Sequence, residues 1–237
     1  MARDVSISLR QLTSPLLSLI VAVVTVAAGA CGAPKPPAAS DTLPPLPPPV
    51  REKLSTHLGS TRSFDRHVWR DTPSINSDST VTGYVEISRG ESAKWEFRIP
   101  FNRREVDRMI PASLGGYPTN YGFLPQTISY DGDPADVLVL GPALAGGQLV
   151  KGAIVGLMRM TDTGDLDSKV VISPVDSRLQ PTHALDAGTQ RLLSQFFSTY
   201  KRHEGKVTDV PGFGGPDEAR RFLETTAAFF EAGRRER

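Results

Sequence analysis

The sequence predicts an α+β fold that is mainly β, built on a small β-barrel and followed by two α-helices. Between residues 83 and 173, short segments alternate apolar and polar positions, as β-strands do. From residue 189 onward, apolar residues recur at the spacing of amphipathic helices. Many short strands followed by helices are typical of a sheet-based core with helices packed against it.

The first two predicted strands are GYVEISR (83–89) and SAKWEFRIP (92–100), and each alternates in polarity. The Arg-Gly-Glu stretch between them has the composition of a hairpin loop, so we expect the two strands to pair. That pairing would place Glu86, Lys94 and Glu96 on one side of one sheet. On the residues alone, a solvated strand face with cross-strand ion pairs explains them equally well.

Three further segments predict strands around two acidic turns. TISYDGDPADVLVLG (127–141) indicates a strand, a bend and a buried strand, because Gly132 and Pro134 interrupt regular pairing. The segments 152–160 and 169–173 are apolar strands separated by the turn TDTGDLDS. Both turns are therefore expected to present aspartates at strand ends.

Two helices are predicted late in the chain, and a short one before the folded domain. Residues 189–202 form an amphipathic helix with Tyr200 and Lys201 at its end, and Pro216 begins a second helix. The inner face of that second helix is predicted to consist of Ala219, Phe222, Leu223 and Phe230. A short helix near residues 52–58 is expected within an otherwise loose, polar lead-in.

The N-terminal region is predicted to be a targeting segment and a tether. Residues 1–30 combine arginines with a 15-residue apolar run, LLSLIVAVVTVAAGA, too short to span a bilayer, which needs about 20 residues. AGAC resembles a bacterial lipoprotein signal with Cys31 as the lipidated residue. Residues 31–80 then form a proline-rich disordered tether, and residues 81–237 the folded domain. An ordinary cleaved signal or an uncleaved anchor are the alternatives.

Composition excludes several classes of function. Lysine plus arginine number 27 and aspartate plus glutamate 26, so no basic excess indicates nucleic acid as a partner. The single cysteine excludes an internal disulfide and a multi-thiolate metal site. The four histidines contain no i, i+4 pair, which argues against a helical histidine zinc site.

Acidic and basic residues nevertheless concentrate at predicted turns and strand edges. The acids are Asp131, Asp133, Asp136, Asp162, Asp167, Glu86 and Glu96, and the cations are Lys94, Arg108, Lys169 and Lys201. Oxygen ligands without thiolate or imidazole favour Mg²⁺, Mn²⁺ or Ca²⁺, and nearby cations favour a phosphate ligand. An EF-hand loop beginning at Asp131 is excluded by Ala135 and Pro142 at ligand positions. A generic structural metal site stays open.

These motifs carry a resemblance to a known family. DGDPADVLV resembles the signature of the soluble (family I) inorganic pyrophosphatases, and VEIS…AKWEF, VDRMI…GYPTNYGFLPQT, MTDTGDLDSKVVISP and QFFSTYK resemble its other motifs in the same order. The resemblance covers residues 82–230. It implies an OB-like closed β-barrel with flanking helices, and the hydrolysis of inorganic diphosphate to two orthophosphates by a metal-activated water.

The resemblance also implies a role for each matched residue. Asp131, Asp136 and Asp167 resemble ligands of the main metal pair, Asp162 a ligand of a further metal, and Glu86 an acid that helps to bind a substrate-borne metal. Asp133 resembles the residue that orients and deprotonates the attacking water. The implied substrate-binding residues are Lys94, Glu96, Arg108, Tyr121, Lys169, Tyr200 and Lys201. The implied cofactor is Mg²⁺, with Mn²⁺ as a substitute.

Two hypotheses of different kinds follow. The first is an Mg²⁺-dependent diphosphatase held by lipid outside the cytoplasm, in the bacterial cell envelope, with inorganic diphosphate and a membrane as partners. The second is a non-catalytic lipoprotein that binds metal or phosphate on a pyrophosphatase scaffold. Loss of Asp133 or Lys94 would favour the second hypothesis, and both residues are present. Homo-oligomerisation is left open.

Overall fold

The computed structural model describes residues 46–175 and 185–236. The predicted signal segment, Cys31 and the first part of the predicted tether lie outside these residues. No helix within the two described ranges is long and apolar enough to cross a bilayer.

The strands form one closed main sheet and one small ribbon. In chain order they are β1 (Val81–Ile87), β2 (Ala93–Arg98), β3 (Arg103–Met109), β4 (Asn120–Phe123), β5 (Asp136–Val139), β6 (Leu149–Asp162), β7 (Asp165–Leu166), β8 (Lys169–Pro174) and β9 (Thr208–Gly214). The main sheet runs β1-β4-β5-β8-β6, and β1 also pairs with β6, which closes the ring. Strands β7 and β9 extend it by pairing with β6. The predicted mainly-β class with flanking helices is confirmed.

The predicted hairpin between the first two strands is wrong. Strand β2 pairs with β3, from Ala93 opposite Met109 to Arg98 opposite Arg103, in a separate two-stranded sheet. Strand β1 has no free edge for β2, because β4 and β6 occupy both of its sides. A tight 3₁₀ turn, closed by Asn102 in the left-handed region (φ 50°), connects β2 to β3 instead.

The strand expected before the first acidic turn does not form. Residues 127–130 run as an irregular loop, whereas the buried strand after the turn is present as β5. Thr127 explains the loop: its hydroxyl donates to the Leu124 carbonyl (2.6 Å) and accepts from the Ala135 amide (2.9 Å). The Thr127 side chain thus bonds backbone groups that would otherwise pair with a neighbouring strand. The other two predicted strands are present as β6 and β8.

Within residues 46–175 and 185–236, four α-helices pack around the sheet: α1 (Pro48–Ser60), α2 (Val68–Asp71), α3 (Ala187–Phe197) and α4 (Pro216–Arg235). Helix α3 ends at Phe197, earlier than predicted, because the Thr199 amide bonds the carbonyl of Phe196, three residues back, and the chain turns there. Tyr200 and Lys201 therefore lie in the turn after the helix. Helix α4 begins at Pro216 as predicted. Its predicted inner face is fully buried at Ala219, Leu223 and Phe230 and partly buried at Phe222.

The segment predicted as a loose lead-in is part of the folded unit. Helix α1 begins within the proline run, since prolines in a first helical turn remove no hydrogen bond that the helix makes. Val50, Leu54 and Leu58 recur every four residues and are buried. Trp69 on α2 is fully buried against Phe230, with ring centroids 5.1 Å apart. Residues 46–80 thus belong to the fold, which the predicted boundary at residue 81 left out.

Candidate active site

One pocket of about 360 Å³ brings most of the predicted site residues together. It opens between the β2–β3 ribbon, the acidic turn before β5 and the turn that joins β6 to β8. The predicted residues that line it are Glu86, Lys94, Glu96, Tyr121, Asp131, Asp133, Asp136, Asp162, Asp167, Tyr200 and Lys201. The predicted residues Arg108 and Lys169 do not line the pocket.

The acidic turn presents its carboxylates through a tight backbone bend. The Ser129 amide donates to the Asp133 carbonyl (2.7 Å), and the Asp133 amide donates to a carboxylate oxygen of Asp131 (3.0 Å). Gly132 takes the left-handed conformation (φ 82°) that glycine adopts without strain. Burial, followed by the nearby charges of Asp133 and Asp136, raises the pKa of Asp131 to about 7.

Lys169 is a buried cation beneath the pocket floor. Because β5 and β8 are parallel with Val137 opposite Val170, Lys169 at the start of β8 lies beside Asp136. Its ammonium, 0% exposed, is 2.5 Å from Asp136 Oδ2 and 2.8 Å from Asp167 Oδ1. Burial and Asp136 still raise the pKa of Asp167, to about 6, although Lys169 opposes them. Tyr121 donates its hydroxyl to Asp136 Oδ2 (2.6 Å).

The far side of the pocket joins the second acidic turn to the turn after α3. Lys201 forms a direct ion pair with Asp162, the last residue of β6. Burial would raise the pKa of Asp162, but the bond and charge of Lys201 outweigh it and lower that pKa. Tyr200 is buried against Phe196 and Phe197, with ring centroids 5.5 Å and 5.3 Å away.

The β2–β3 ribbon supplies a charged network that the sequence only partly indicated. Lys94 Nζ lies 3.2 Å from Asp107 Oδ2 and 3.8 Å from Glu96 Oε2, and Arg98 bridges the same two acids at 3.5 Å and 3.1 Å. Arg98 and Asp107 were not predicted as site residues. The signal for Arg98 was its position on the same strand face as Lys94 and Glu96.

Two of the predicted site residues, Arg108 and Glu86, have little or no contact with the open pocket. Arg108 is not on the pocket wall: its Nε lies 2.7 Å from Glu204 Oε1, and its NH1 donates to Asp107 (2.6 Å). Glu86 lines the pocket but is buried and accepts the Phe97 amide (2.5 Å). Burial raises the pKa of Glu86 to about 8.

Helix α1 contributes two residues that sequence reasoning missed. Lys53 Nζ lies 2.8 Å from Asp133 Oδ2, and His57 Nε2 lies 3.7 Å from Asp133 Oδ1. Burial would raise the pKa of Asp133, but the interactions with His57 and Lys53 outweigh it and lower that pKa. The available signal was their spacing of four residues, which puts both on one face of the predicted short helix.

The donor set suits a hard divalent cation. Within residues 46–175 and 185–236, no three histidine, cysteine or acidic side chains converge on one point in metal-ligand geometry. Asp136 and Asp167 instead converge on the Lys169 ammonium. The raised pKa values of Asp131 and Asp167 nevertheless mark carboxylates that lack enough positive charge, and all donors are oxygens. Asp131, Asp136 and Asp167 line the pocket and are the carboxylates suited to hold such a cation.

Comparisons with known proteins agree on one family. The family model described as inorganic pyrophosphatase matches residues 83–231. An inorganic pyrophosphatase from Picrophilus torridus is 34% identical over 157 residues, 64% of this chain and 88% of that protein. A soluble inorganic pyrophosphatase from Zea mays is 32% identical over 199 residues, 79% of this chain and 89% of its own length.

Solved structures give the same result. An inorganic pyrophosphatase from Coxiella burnetii superposes with a TM-score of 0.63 at 31% identity, covering 67% of this chain and 99% of that chain. The enzyme from Thermus thermophilus has a TM-score of 0.64 at 29% identity, with 70% and 99% covered. Since the family model matches residues 83–231, more than half of the chain, this chain belongs to the inorganic pyrophosphatase family.

Proposed function

We propose that this chain hydrolyses inorganic diphosphate to two orthophosphates, with Mg²⁺ as its cofactor and Mn²⁺ as a substitute. The observation that carries the proposal is the composition of the pocket, which has a volume of about 360 Å³. It is lined by an acidic turn together with Lys94, Lys201, Tyr121 and Tyr200. Membership of the inorganic pyrophosphatase family supports the same substrate.

The basic side of the pocket is suited to hold the diphosphate. Lys94 and Lys201 are partly buried cations on opposite walls, and each is currently balanced by acids that a phosphate group would replace as its partner. Tyr200 is buried and Tyr121 is partly buried, and both line the pocket. Each hydroxyl group is suited to donate one hydrogen bond to an oxyanion, which Tyr121 would do in exchange for its bond to Asp136. Charge-assisted hydrogen bonds of this kind stabilise negative charge that moves to the leaving phosphate.

Asp133 is the proposed general base. Its lowered pKa keeps its carboxylate ionised at neutral pH, so that it accepts a proton from the water that attacks one phosphorus atom in line. The P–O bond to the bridging oxygen breaks, and the second orthophosphate leaves. When bound, Mg²⁺ supplies Lewis acidity that lowers the pKa of water and neutralises phosphate charge.

The non-catalytic alternative is not favoured. A scaffold retained for binding alone has no need for a base beside the metal-binding acids, yet Asp133 lies in the pocket with an ionised carboxylate. Lys94 is also present on the ribbon, where it faces the same space.

The direct test is phosphate release from inorganic diphosphate by the full 237-residue chain, with Mg²⁺ and with chelator. We expect Mg²⁺-dependent turnover that falls by roughly 10²–10⁴-fold in Asp133→Asn, the contribution of a general base. Asp209→Asn is the matched control, because Asp209 is exposed on β9 and does not line the pocket. No release by a folded wild-type protein that still binds Mg²⁺ would contradict the proposal.

We also propose that the protein is held on the extracytoplasmic face of a bacterial envelope membrane by lipid on Cys31. The charged start, the apolar run of residues 16–30 and the lone cysteine after AGA support this proposal. Growth with a clickable fatty acid should label the wild type and not Cys31→Ser, and the substitution should shift the protein from the membrane to the soluble fraction. Equal labelling of both proteins would contradict the anchor.

A further inference from the structure

Helix α1 lies outside the residues matched by the family model, yet it reaches the proposed base. The match begins at residue 83, whereas α1 spans Pro48–Ser60. His57 on this helix lines the pocket, and Lys53 lies one turn earlier on the same face. The site is therefore built partly from a segment that the family model does not describe.

Lys53 contacts three consecutive residues of the acidic turn, Asp131, Gly132 and Asp133. Its ammonium is 2.8 Å from Asp133 Oδ2 and 3.3 Å from the Asp131 carbonyl oxygen. Its stem covers Gly132 so closely that a Cβ on that glycine would lie 2.7 Å from Lys53 Cδ. One side chain thus spans the whole turn and ends on the carboxylate of Asp133.

The helix that carries Lys53 is held independently of this ion pair. Leu54 and Leu58 are buried, and the ring of His57 packs edge-on against the buried Trp69 at 5.9 Å. The Lys53–Asp133 pair is itself about half exposed, and such pairs contribute only about 0–1 kcal/mol to stability. Its effect is therefore expected on the position and charge of Asp133 rather than on folding.

We propose that Lys53 is a positioning residue that keeps Asp133 available as a base instead of a metal ligand. This inference rests on the proposed function. Asp131 and Asp133 lie two residues apart on one turn, and both have oxygens that attract Mg²⁺. The Lys53 ammonium occupies Oδ2 of Asp133 and repels a second cation there. Oδ1 lies 3.7 Å from His57 Nε2, beyond hydrogen-bond distance, and is left for the proton of the attacking water.

The variants that test this proposal are Lys53→Met, which removes the charge and keeps the stem, and Lys53→Arg, which restores the charge. Lys151→Met is the matched control: Lys151 Nζ lies 2.7 Å from Asp78 Oδ2 at similar exposure, away from the pocket. All are made in the full chain. The measurements are kcat and KM for diphosphate, and the Mg²⁺ dissociation constant from calorimetry without substrate.

For Lys53→Met we expect kcat to fall about tenfold, part of what a general base contributes, with KM within about twofold. Mg²⁺ should bind equally or more tightly, because a repelling cation is lost. Lys53→Arg should restore kcat to within about threefold of the wild type, and Lys151→Met should match the wild type. Slower turnover with undiminished metal binding is a signature that general loosening of the turn does not produce.

Two results would overturn the proposal. Wild-type kcat in Lys53→Met would show that Asp133 needs no support from α1. A fall in kcat accompanied by equally weakened Mg²⁺ binding, without rescue by arginine, would show that Lys53 only stabilises the turn. Wild type and Asp133→Asn in the same assay separate the two proposals: if Asp133→Asn alone loses activity, the proposed function stands and the role of Lys53 fails. If the wild type releases no phosphate, the proposed function fails, and the role of Lys53, which rests on it, fails with it.

Discussion

Replacing Trp69 with alanine tests whether the segment before residue 81 belongs to the cooperative fold. Trp69 is 0% exposed and packs against Phe230 on the C-terminal helix, with ring centroids 5.1 Å apart. Its indole N–H donates to the Thr127 carbonyl at 3.0 Å, just before the acidic turn. The variant therefore removes contacts between the N-terminal helices, the C-terminal helix and the loop that supports the site.

The expected loss of stability follows from these contacts. Truncating a buried tryptophan to alanine lowers the free energy of unfolding by about 3–5 kcal/mol. The Thr127 carbonyl also loses its donor, although water entering the cavity offsets part of that loss. We expect a decrease of about 4 kcal/mol, a large fraction of the roughly 5–15 kcal/mol that stabilises a typical domain.

The assay is urea unfolding of the full chain, followed by circular dichroism because the substitution removes a fluorophore. With a slope of about 2 kcal/mol per molar urea, the midpoint should fall by about 2 M. Phe101→Ala is the control, since Phe101 is 58% exposed and its truncation should change stability by less than about 1 kcal/mol. A decrease below about 1 kcal/mol for Trp69→Ala would refute the inclusion of residues 46–80 in the folding unit.

Three further outcomes are expected. Lys169→Met should lower the free energy of unfolding by about 3–5 kcal/mol at pH 8 in a urea titration, because it removes a fully buried cation and leaves two partly buried carboxylates uncompensated. Mg²⁺ should restore part of this loss. With chelator present, the melting temperature should fall as the pH rises from about 6 to about 8.5. The pKa values of Asp131 (about 7) and Glu86 (about 8) are raised in the folded state, so ionising these groups costs stability there. Mg²⁺ should reduce this fall. Gly122→Ala should destabilise by at least about 3 kcal/mol in urea unfolding, since its Cβ would lie 1.8 Å from the Tyr84 carbonyl oxygen.

Each of these has a contradicting result. A Lys169→Met protein whose stability does not respond to Mg²⁺ would argue that Asp136 and Asp167 do not bind the ion. An equal fall in melting temperature with chelator and with Mg²⁺ would argue that the acidic pocket holds no cation. Wild-type stability in Gly122→Ala would show that strands β1 and β4 separate without cost.

The residue types and their order along the chain determined most of the site. Strand alternation predicted that Lys94 and Glu96 share a face, and both line the pocket. The Gly132–Pro134 interruption predicted a bend at the acidic turn, and the bend is present. The proline at the start of α4 and the apolar spacing along that helix were also sufficient to predict where the helix begins and which face is buried. These features depend on neighbours within a few residues, which is the range that a local pattern reports.

The partners of each element were decided only by the tertiary structure. Alternation states which face of a strand is buried but not which strand lies beside it, so it did not show that β4 and β6 occupy both edges of β1. Equally, the spacing of Lys53 and His57 predicts a shared helix face but not that this face meets Asp133. Lys169 is buried under two acids because a parallel register places it there. Contacts between residues far apart in sequence depend on how whole elements pack, and no local pattern contains that information.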